Sequence, residues 1–169
     1  MTIESLRDLF EFKLSCAYDC EQKLVKKGIP GMIKGATSPE LRTALEQHLE
    51  ETRTHVSRLE KVFSSIGVEA ETEDNDVIDE MISAAEDIIG DIDASPLRDA
   101  GLIVGGNEVE HYEMAMYGSL VSFAKQLGFR DAANLLQQTL EEEKAADAKL
   151  TQIGESTVNP RAAQEQKAA

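Results

Sequence analysis

Two glutamates occupy positions of one helical segment where a helix normally presents apolar side chains to a core. The segment NEVEHYEMAMYGSL, residues 107–120, contains both of them, Glu110 and Glu113. Counted in steps of three and four, one face of this helix reads Ile103, Gly106, Glu110, Glu113, Tyr117, Leu120, Ala124 and Leu127. An ionised carboxylate in an apolar interior is costly unless it is protonated, paired or bound to a cation. The spacing therefore indicates a polar site inside the fold.

The other long helical segments carry acids or imidazoles on the same kind of face, near the middle of each helix. These positions are Glu21 in the first helix, His48 and His55 with Glu51 beside them in the second, and Glu143 with Asp147 one turn later in the fourth. Basic residues near these faces, such as Lys13 and Arg53, are too few to neutralise the acids. One such glutamate alone could instead reach water from the edge of its helix, and His48 alone could be a core histidine. Carboxylates at a similar level of all the long helices favour bound cations.

Carboxylates combined with one or two imidazoles suit iron or manganese, and two ions fit this many acids better than one. We therefore predict two iron or manganese ions as cofactors, while the catalytic residues stay unassigned. The predicted metal ligands are Glu21, His48, Glu51, Glu110, Glu113 and Glu143. Weaker candidates, as ligands or as hydrogen-bond partners of ligands, are Asp147, Tyr18, Tyr117 and His55. The tyrosines could also be purely structural aromatic residues.

Helices must position these side chains, because strand signals are almost absent and Ala, Leu, Glu, Lys and Gln dominate. Thr2 is the predicted cap of a first helix that ends near Lys27, before the breaker stretch KGIPGMIKGATSP. Ser38 and Ser95, each followed by a proline, predict the starts of the second and third long helices. The predicted helices span about residues 2–27, 39–65, 77–91, 96–128 and 130–153.

The lengths of the connections predict the topology. Short connections join the first long helix to the second and the third to the fourth, so each pair should be an antiparallel hairpin. One long crossover, which contains the short helix at 77–91, joins the two hairpins. This is an all-α, ferritin-like four-helix bundle with a short fifth helix. We expect a bundle domain at residues 1–155 and a disordered tail at 156–169, which lacks a hydrophobic face.

The composition excludes several classes of partner. The 169-residue chain has a formal net charge of −15, so nucleic acid and anionic membranes should be repelled, whereas metal ions are favoured partners. No apolar run reaches the length of a membrane span, and acidic residues stand where a signal peptide would be basic. The sequence thus predicts a cytoplasmic protein. Cys16 and Cys20, four residues apart on one helix, are expected to be small packing residues, with a redox or metal role as the alternative.

Four segments resemble a known family. LEQHLEETRTHVSRLEKVF, EVEHYEMAMYGSL, AKQLGFRDAANLL and TLEEEKAADAKLTQI are similar to the bacterial YciE/YciF stress-protein family, a branch of the ferritin-like superfamily. The similarity covers about residues 2–155. The resemblance implies a bundle of four long helices with a short crossover helix, a homodimer, a dinuclear iron or manganese site and an association with stress responses.

The ferritin-like template takes one Glu from the first and third helices and a Glu-x-x-His pair from the second and fourth. By this resemblance Glu21, Glu110 and Glu143 take the roles of the first, third and fourth helices. The second helix departs from the template, because it reads His48-x-x-Glu51. The fourth lacks the second histidine and has Asp147 four residues after Glu143, which leaves Glu113 as the compensating ligand.

Two functions follow as hypotheses. The first is a dinuclear-metal protein that oxidises ferrous iron with oxygen or peroxide, or dismutates peroxide, under stress. The second is a non-enzymatic helical dimer that binds or supports a stress-related partner, with a metal that is structural or absent. Iron storage is a weaker third hypothesis, because no feature of the chain indicates assembly into a shell.

Overall fold

The computed structural model describes residues 2–165, and these residues form helices and connections without a β-strand. The elements in chain order are α1 (Leu6–Lys23), a π turn (Leu24–Gly28), α2 (Ile29–Gly35), α3 (Pro39–Ile66), α4 (Asp76–Asp91), α5 (Pro96–Gln126), α6 (Arg130–Ile153), a second π turn (Gly154–Val158) and α7 (Asn159–Glu165). The prediction of an all-α protein is confirmed. No helix within residues 2–165 combines the length and the apolar character that crossing a membrane requires.

Side-chain caps fix where the long helices begin. The hydroxyls of Ser38 and Ser95 accept hydrogen bonds from backbone N–H groups in the first turns of α3 and α5, as the sequence predicts. The first helix differs from the prediction, because Ser5 rather than Thr2 caps α1. Gly67 and Gly128, both with φ of +78°, follow α3 and α5 and end these helices in the left-handed conformation.

Both π turns stand two residues before a proline, and they explain why the helices continue past predicted breakers. The first turn ends at Gly28 and Pro30 follows; the second ends at Val158 and Pro160 follows. A proline has no N–H, and its ring collides with the carbonyl four residues earlier in a regular α-helix. The wider π turn makes room for the ring. The first helix therefore does not end at Lys27, because α2 carries it on to Gly35.

The end of the chain also differs from the prediction. Residues 156–165, expected to be disordered, continue α6 through the second π turn and α7. Val158 anchors this extension because its side chain is buried in the core. The rest of the predicted tail, residues 166–169, lies outside the described residues.

The four longest helices of the described chain, α1, α3, α5 and α6, form the bundle. α6 packs against α5 and α3, and α1 packs against the other sides of the same two helices. The connections at 36–38 and 127–129 are short, so each hairpin is antiparallel, and residues 67–95 form the predicted crossover. Within the crossover, α4 lies along α5, α2 and the first π turn.

Asn75 fastens the crossover to the bundle. Its backbone N–H donates to Asp19 at 3.0 Å, and its side-chain amide donates to the carbonyl of Cys16 at 3.1 Å. Its side-chain oxygen accepts from the Tyr112 hydroxyl at 3.0 Å and also caps α4. Asn75 thus joins α1, α4 and α5 immediately outside the polar interior of the bundle.

Candidate metal centre

A layer of ionisable side chains crosses the middle of the bundle, and each of the four long helices contributes to it. Its members are Glu21 of α1, His48 and His55 of α3, Glu110 and Glu113 of α5, and Glu143 of α6. The four glutamates and His55 are at most 2% exposed. Along their own helices, fully or nearly fully buried leucines lie on both sides of the layer: Leu14, Leu59, Leu120 and Leu136 on one side, and Leu24, Leu45, Leu102 and Leu150 on the other. Apolar packing therefore borders the layer on both sides along the bundle axis.

One set of three ligand atoms comes from Glu21, His55 and Glu143. His55 Nδ1 lies 3.0 Å from Glu143 Oε1 and 3.4 Å from Glu21 Oε1. All three ligand atoms lie within 4.8 Å of one another, so a single ion could bind all three. Since the three residues are 0% exposed, this position is closed to solvent.

A second set comes from His48, Glu110 and Glu143. His48 Nε2 lies 3.1 Å from Glu110 Oε1, and the three ligand atoms again lie within 4.8 Å of one another. Glu143 belongs to both sets. A carboxylate has two oxygens and can bind one ion with each, so the shared glutamate could bridge two metal positions.

The ligand atoms converge without satisfying one another. Among the described residues, Glu21 Oε2, Glu110 Oε2, both oxygens of Glu143 and His55 Nδ1 are buried and have no hydrogen-bond partner. His55 Nδ1 is near Glu143, but the contact does not have hydrogen-bond geometry. Unpaired buried polar atoms are costly, and a cation among them removes that cost. Carboxylate-rich sites with imidazole suit iron or manganese, and two divalent ions balance the four carboxylates.

A carboxylate holds the His55 nitrogen that points away from Glu21 and Glu143. Its Nε2 contacts Glu142 Oε2 at 2.9 Å, and Arg58 donates to both oxygens of Glu142 at 2.6 and 3.0 Å. Arg58 also donates to Thr139 at 2.7 Å, which fixes its guanidinium. A carboxylate on the outer nitrogen orients a metal-binding imidazole and fixes which nitrogen is free. Here it directs Nδ1 toward Glu21 and Glu143.

His48 has a looser version of this arrangement, with the nitrogens exchanged and no hydrogen bond to the carboxylate behind it. Its Nε2 faces Glu110, and its Nδ1 lies 3.7 Å from Glu51 Oε2. The Glu51 side chain is 38% exposed and also accepts from Gln47 at 2.9 Å. The structure therefore places Glu51, predicted as a ligand, on the side of the His48 ring that faces away from Glu110. It places His55, predicted as a weaker candidate, inside the centre.

The close packing of acids and imidazoles shifts their proton affinities. Burial alone would lower the pKa of His55, but the charge of Glu21 and contact with Glu143 raise it to about 11. Burial would likewise lower the pKa of His48, yet Glu110 and Glu51 raise it well above its ordinary value. Burial raises the pKa of Glu143 to about 7, although His55 works in the opposite direction. Without a metal, the centre retains protons that an ion would displace.

Glu113 and Tyr117 form the side of the centre that faces α1. Glu113 lies outside both ligand sets and accepts a hydrogen bond from the Cys20 thiol at 3.7 Å. Burial, with the charges of Glu21 and Glu143, raises the pKa of Glu113 well above its ordinary value. The Tyr117 hydroxyl donates to Glu21 Oε1. Tyr117 therefore contacts Glu21, a candidate ligand, and Glu113 is a buried carboxylate beside the candidate ligands.

Two predicted candidates are not brought to the centre. The Tyr18 hydroxyl donates to Glu60 at 2.9 Å on the outer face of the bundle. Asp147 accepts from Asn107 at 3.0 Å and lies 3.3 Å from His111. Sequence analysis also missed Glu142 and Arg58. The presence of Arg58 three residues after His55 is the one signal that could have indicated a supporting carboxylate.

Comparison with known proteins gives the family. The sequence model described as a domain of unknown function (DUF892) matches residues 5–163. Protein YciF of Escherichia coli strain K12 is 36% identical over 163 residues, which cover 96% of this chain and 98% of that protein.

Solved structures agree with this match. The E. coli stress protein YciF aligns with a TM-score of 0.89 at 35% identity, over 93% of this chain and 99% of that one. YcfI from Rhodopseudomonas palustris, for which a structural role has been suggested, aligns with a TM-score of 0.86 at 37% identity, over 88% and 94%. A protein from Xanthomonas campestris, 21% identical with a TM-score of 0.73 over 95% and 98%, shares the fold. The chain therefore belongs to the DUF892 family and is similar to YciF over nearly its whole length.

Proposed function

We propose that this chain is a ferritin-like dinuclear metal protein that holds iron or manganese at the centre of its bundle. Glu21 and His55 would hold one ion, His48 and Glu110 the other, and Glu143 would bind both. One observation supports this proposal above all others: two ligand sets share Glu143, and both oxygens of that buried carboxylate lack a hydrogen-bond partner among the described residues.

We further propose that the centre oxidises ferrous iron with oxygen or peroxide, or dismutates peroxide, in the cytoplasm during stress. The bound ions would supply the changes of oxidation state and the Lewis acidity that such reactions need. The buried carboxylates would neutralise the ions, Glu142 orients the His55 imidazole, and the leucine layers border the centre along the bundle axis. The relative YciF is described as a stress protein, which supports the proposed physiological role.

The experiment that tests the centre compares metal content in two variants of α6. Glu143→Gln keeps the shape of the side chain but removes the charge and replaces one carboxylate oxygen with an amide nitrogen. Glu141→Gln is the matched control, because Glu141 is exposed on the same helix. Protein purified without chelator should contain about two iron or manganese ions per chain, as expected for a two-metal site. The control should keep both ions, and Glu143→Gln should lose at least one. Full metal content in Glu143→Gln would contradict the assignment.

Activity separates the two candidate functions. Loaded wild-type protein should accelerate ferrous oxidation or peroxide loss beyond the same concentration of free metal. The second candidate is a non-enzymatic homodimer with a structural metal, and the structural role suggested for YcfI supports it. Loaded protein without any acceleration, which sediments as a dimer and loses thermal stability in chelator, would favour this second function.

A further inference from the structure

The two proposed metal positions differ in their access to solvent. Glu21 and His55 are both 0% exposed, so an ion between them is enclosed by the bundle. His48 and Glu110 instead line a cleft of about 340 Å³ between α3 and α6. The shared ligand Glu143 stands between the two positions. Only local opening of the helices would release an ion from the closed position.

The composition of the cleft suits the passage of a small hydrated cation. Ala44 of α3 and Ala146 of α6 are half-buried on its walls, and their short side chains leave the space open. Glu51 lies farther out with its side chain 38% exposed, where its charge attracts cations. Lys149 also borders the cleft, but it is exposed and its long side chain can extend into water.

Unpaired polar atoms lie at the inner end of the cleft. Glu110 is 2% exposed and lines the cleft, and its Oε2 has no hydrogen-bond partner among the described residues. Both oxygens of Glu143, which belongs to the same ligand set as His48 and Glu110, are also buried without a hydrogen-bond partner among the described residues. A cation that enters the cleft would therefore meet ligand atoms that the protein leaves unsatisfied.

We propose that this cleft is the route by which divalent cations reach and leave the centre, so that the position at His48 and Glu110 exchanges with solvent while the position at Glu21 and His55 retains its ion. This inference rests on the proposed function, because it assumes that both positions bind metal. In this inference the short side chains of Ala44 and Ala146, which contribute no ligand atom, keep the route open. It also distinguishes an ion that exchanges quickly from one that is released slowly.

Release of cobalt(II) tests the inference without any assay of activity. Protein loaded with two cobalt ions per chain is mixed with excess EDTA, and loss of the cobalt absorption is followed by stopped flow. Two phases should appear, separated by at least about tenfold in rate, because the closed position waits for local opening. Ala146→Leu should narrow the cleft and slow the fast phase by at least about tenfold. Ala148→Leu, the same change at an exposed position of α6, should release cobalt like wild type.

A second blocking variant keeps the test decisive. Ala44→Leu narrows the cleft from α3 and should slow the same phase, and circular dichroism establishes that each variant is folded. A single phase, or wild-type rates in both blocking variants with two cobalt ions bound, would overturn the proposed route and leave the metal centre intact. Wild-type protein that binds no cobalt would overturn the proposed function and this inference together.

Discussion

Loading the centre with metal should release a definite number of protons, because ligands must lose their protons to bind. In the metal-free protein at pH 7, His55, with a pKa of about 11, carries a proton, and so does His48, whose pKa is raised well above its ordinary value. Glu143, with a pKa of about 7, is about half protonated. Two ions should thus displace about two to three protons per chain. Burial raises the pKa of Glu113 as well, so its ionisation on metal binding would add to this count.

Manganese(II) is the appropriate probe, since ferrous ion releases further protons when it oxidises. Metal-free protein is titrated with manganese chloride in a pH-stat, and the base consumed per bound ion gives the count. His55→Gln should lower the count by about one, because the variant lacks that imidazolium. Release of less than about one proton per chain, with two manganese ions bound, would refute the reasoning about how the centre is neutralised.

Two further predictions concern stability. The pKa values of His55 and Glu143 are raised in the folded protein, so the metal-free fold binds more protons than the unfolded chain. Its stability should therefore fall as pH rises from about 4.5 to about 11. Melting temperatures in EDTA test this, and a flat or rising profile would contradict it. Asp99, 1% exposed, accepts three hydrogen bonds of 2.5 to 2.7 Å from the turn before α3. Asp99→Ala should cost at least about 3 kcal/mol in urea unfolding. The exposed control Asp93→Ala should cost little, and equal effects of the two would count against this role.

Much of the fold follows from local signals in the sequence. Ser38 and Ser95, each before a proline, mark helix starts that the structure confirms, because capping depends on a few neighbouring residues. The same local reasoning gives a wrong helix end before Pro30. A proline usually ends a helix, and nothing local shows that a π turn will accommodate it. That outcome depends on packing, since Gly28 and Ile29 are both buried against the bundle.

The interior of the candidate site was less predictable than its outline. Glu21, Glu110 and Glu143 are buried as their helical spacing predicts, although their role as ligands stays a prediction. Helical spacing puts His55 on the inward face of α3 and Glu51 beside it, but it does not give what each side chain contacts. Their placement depends on how α3 rotates against its neighbours and where α6 presents Glu142, which a single helical pattern does not contain.

Anomalous diffraction from crystals of the manganese-loaded protein would test the dinuclear centre most directly. Data collected at the manganese absorption edge should show two peaks about 3.5 to 4 Å apart. Glu143 should lie between them, His55 beside one and His48 beside the other. A single peak in the bundle, or peaks confined to surface carboxylates, would contradict a centre of two metals joined by Glu143.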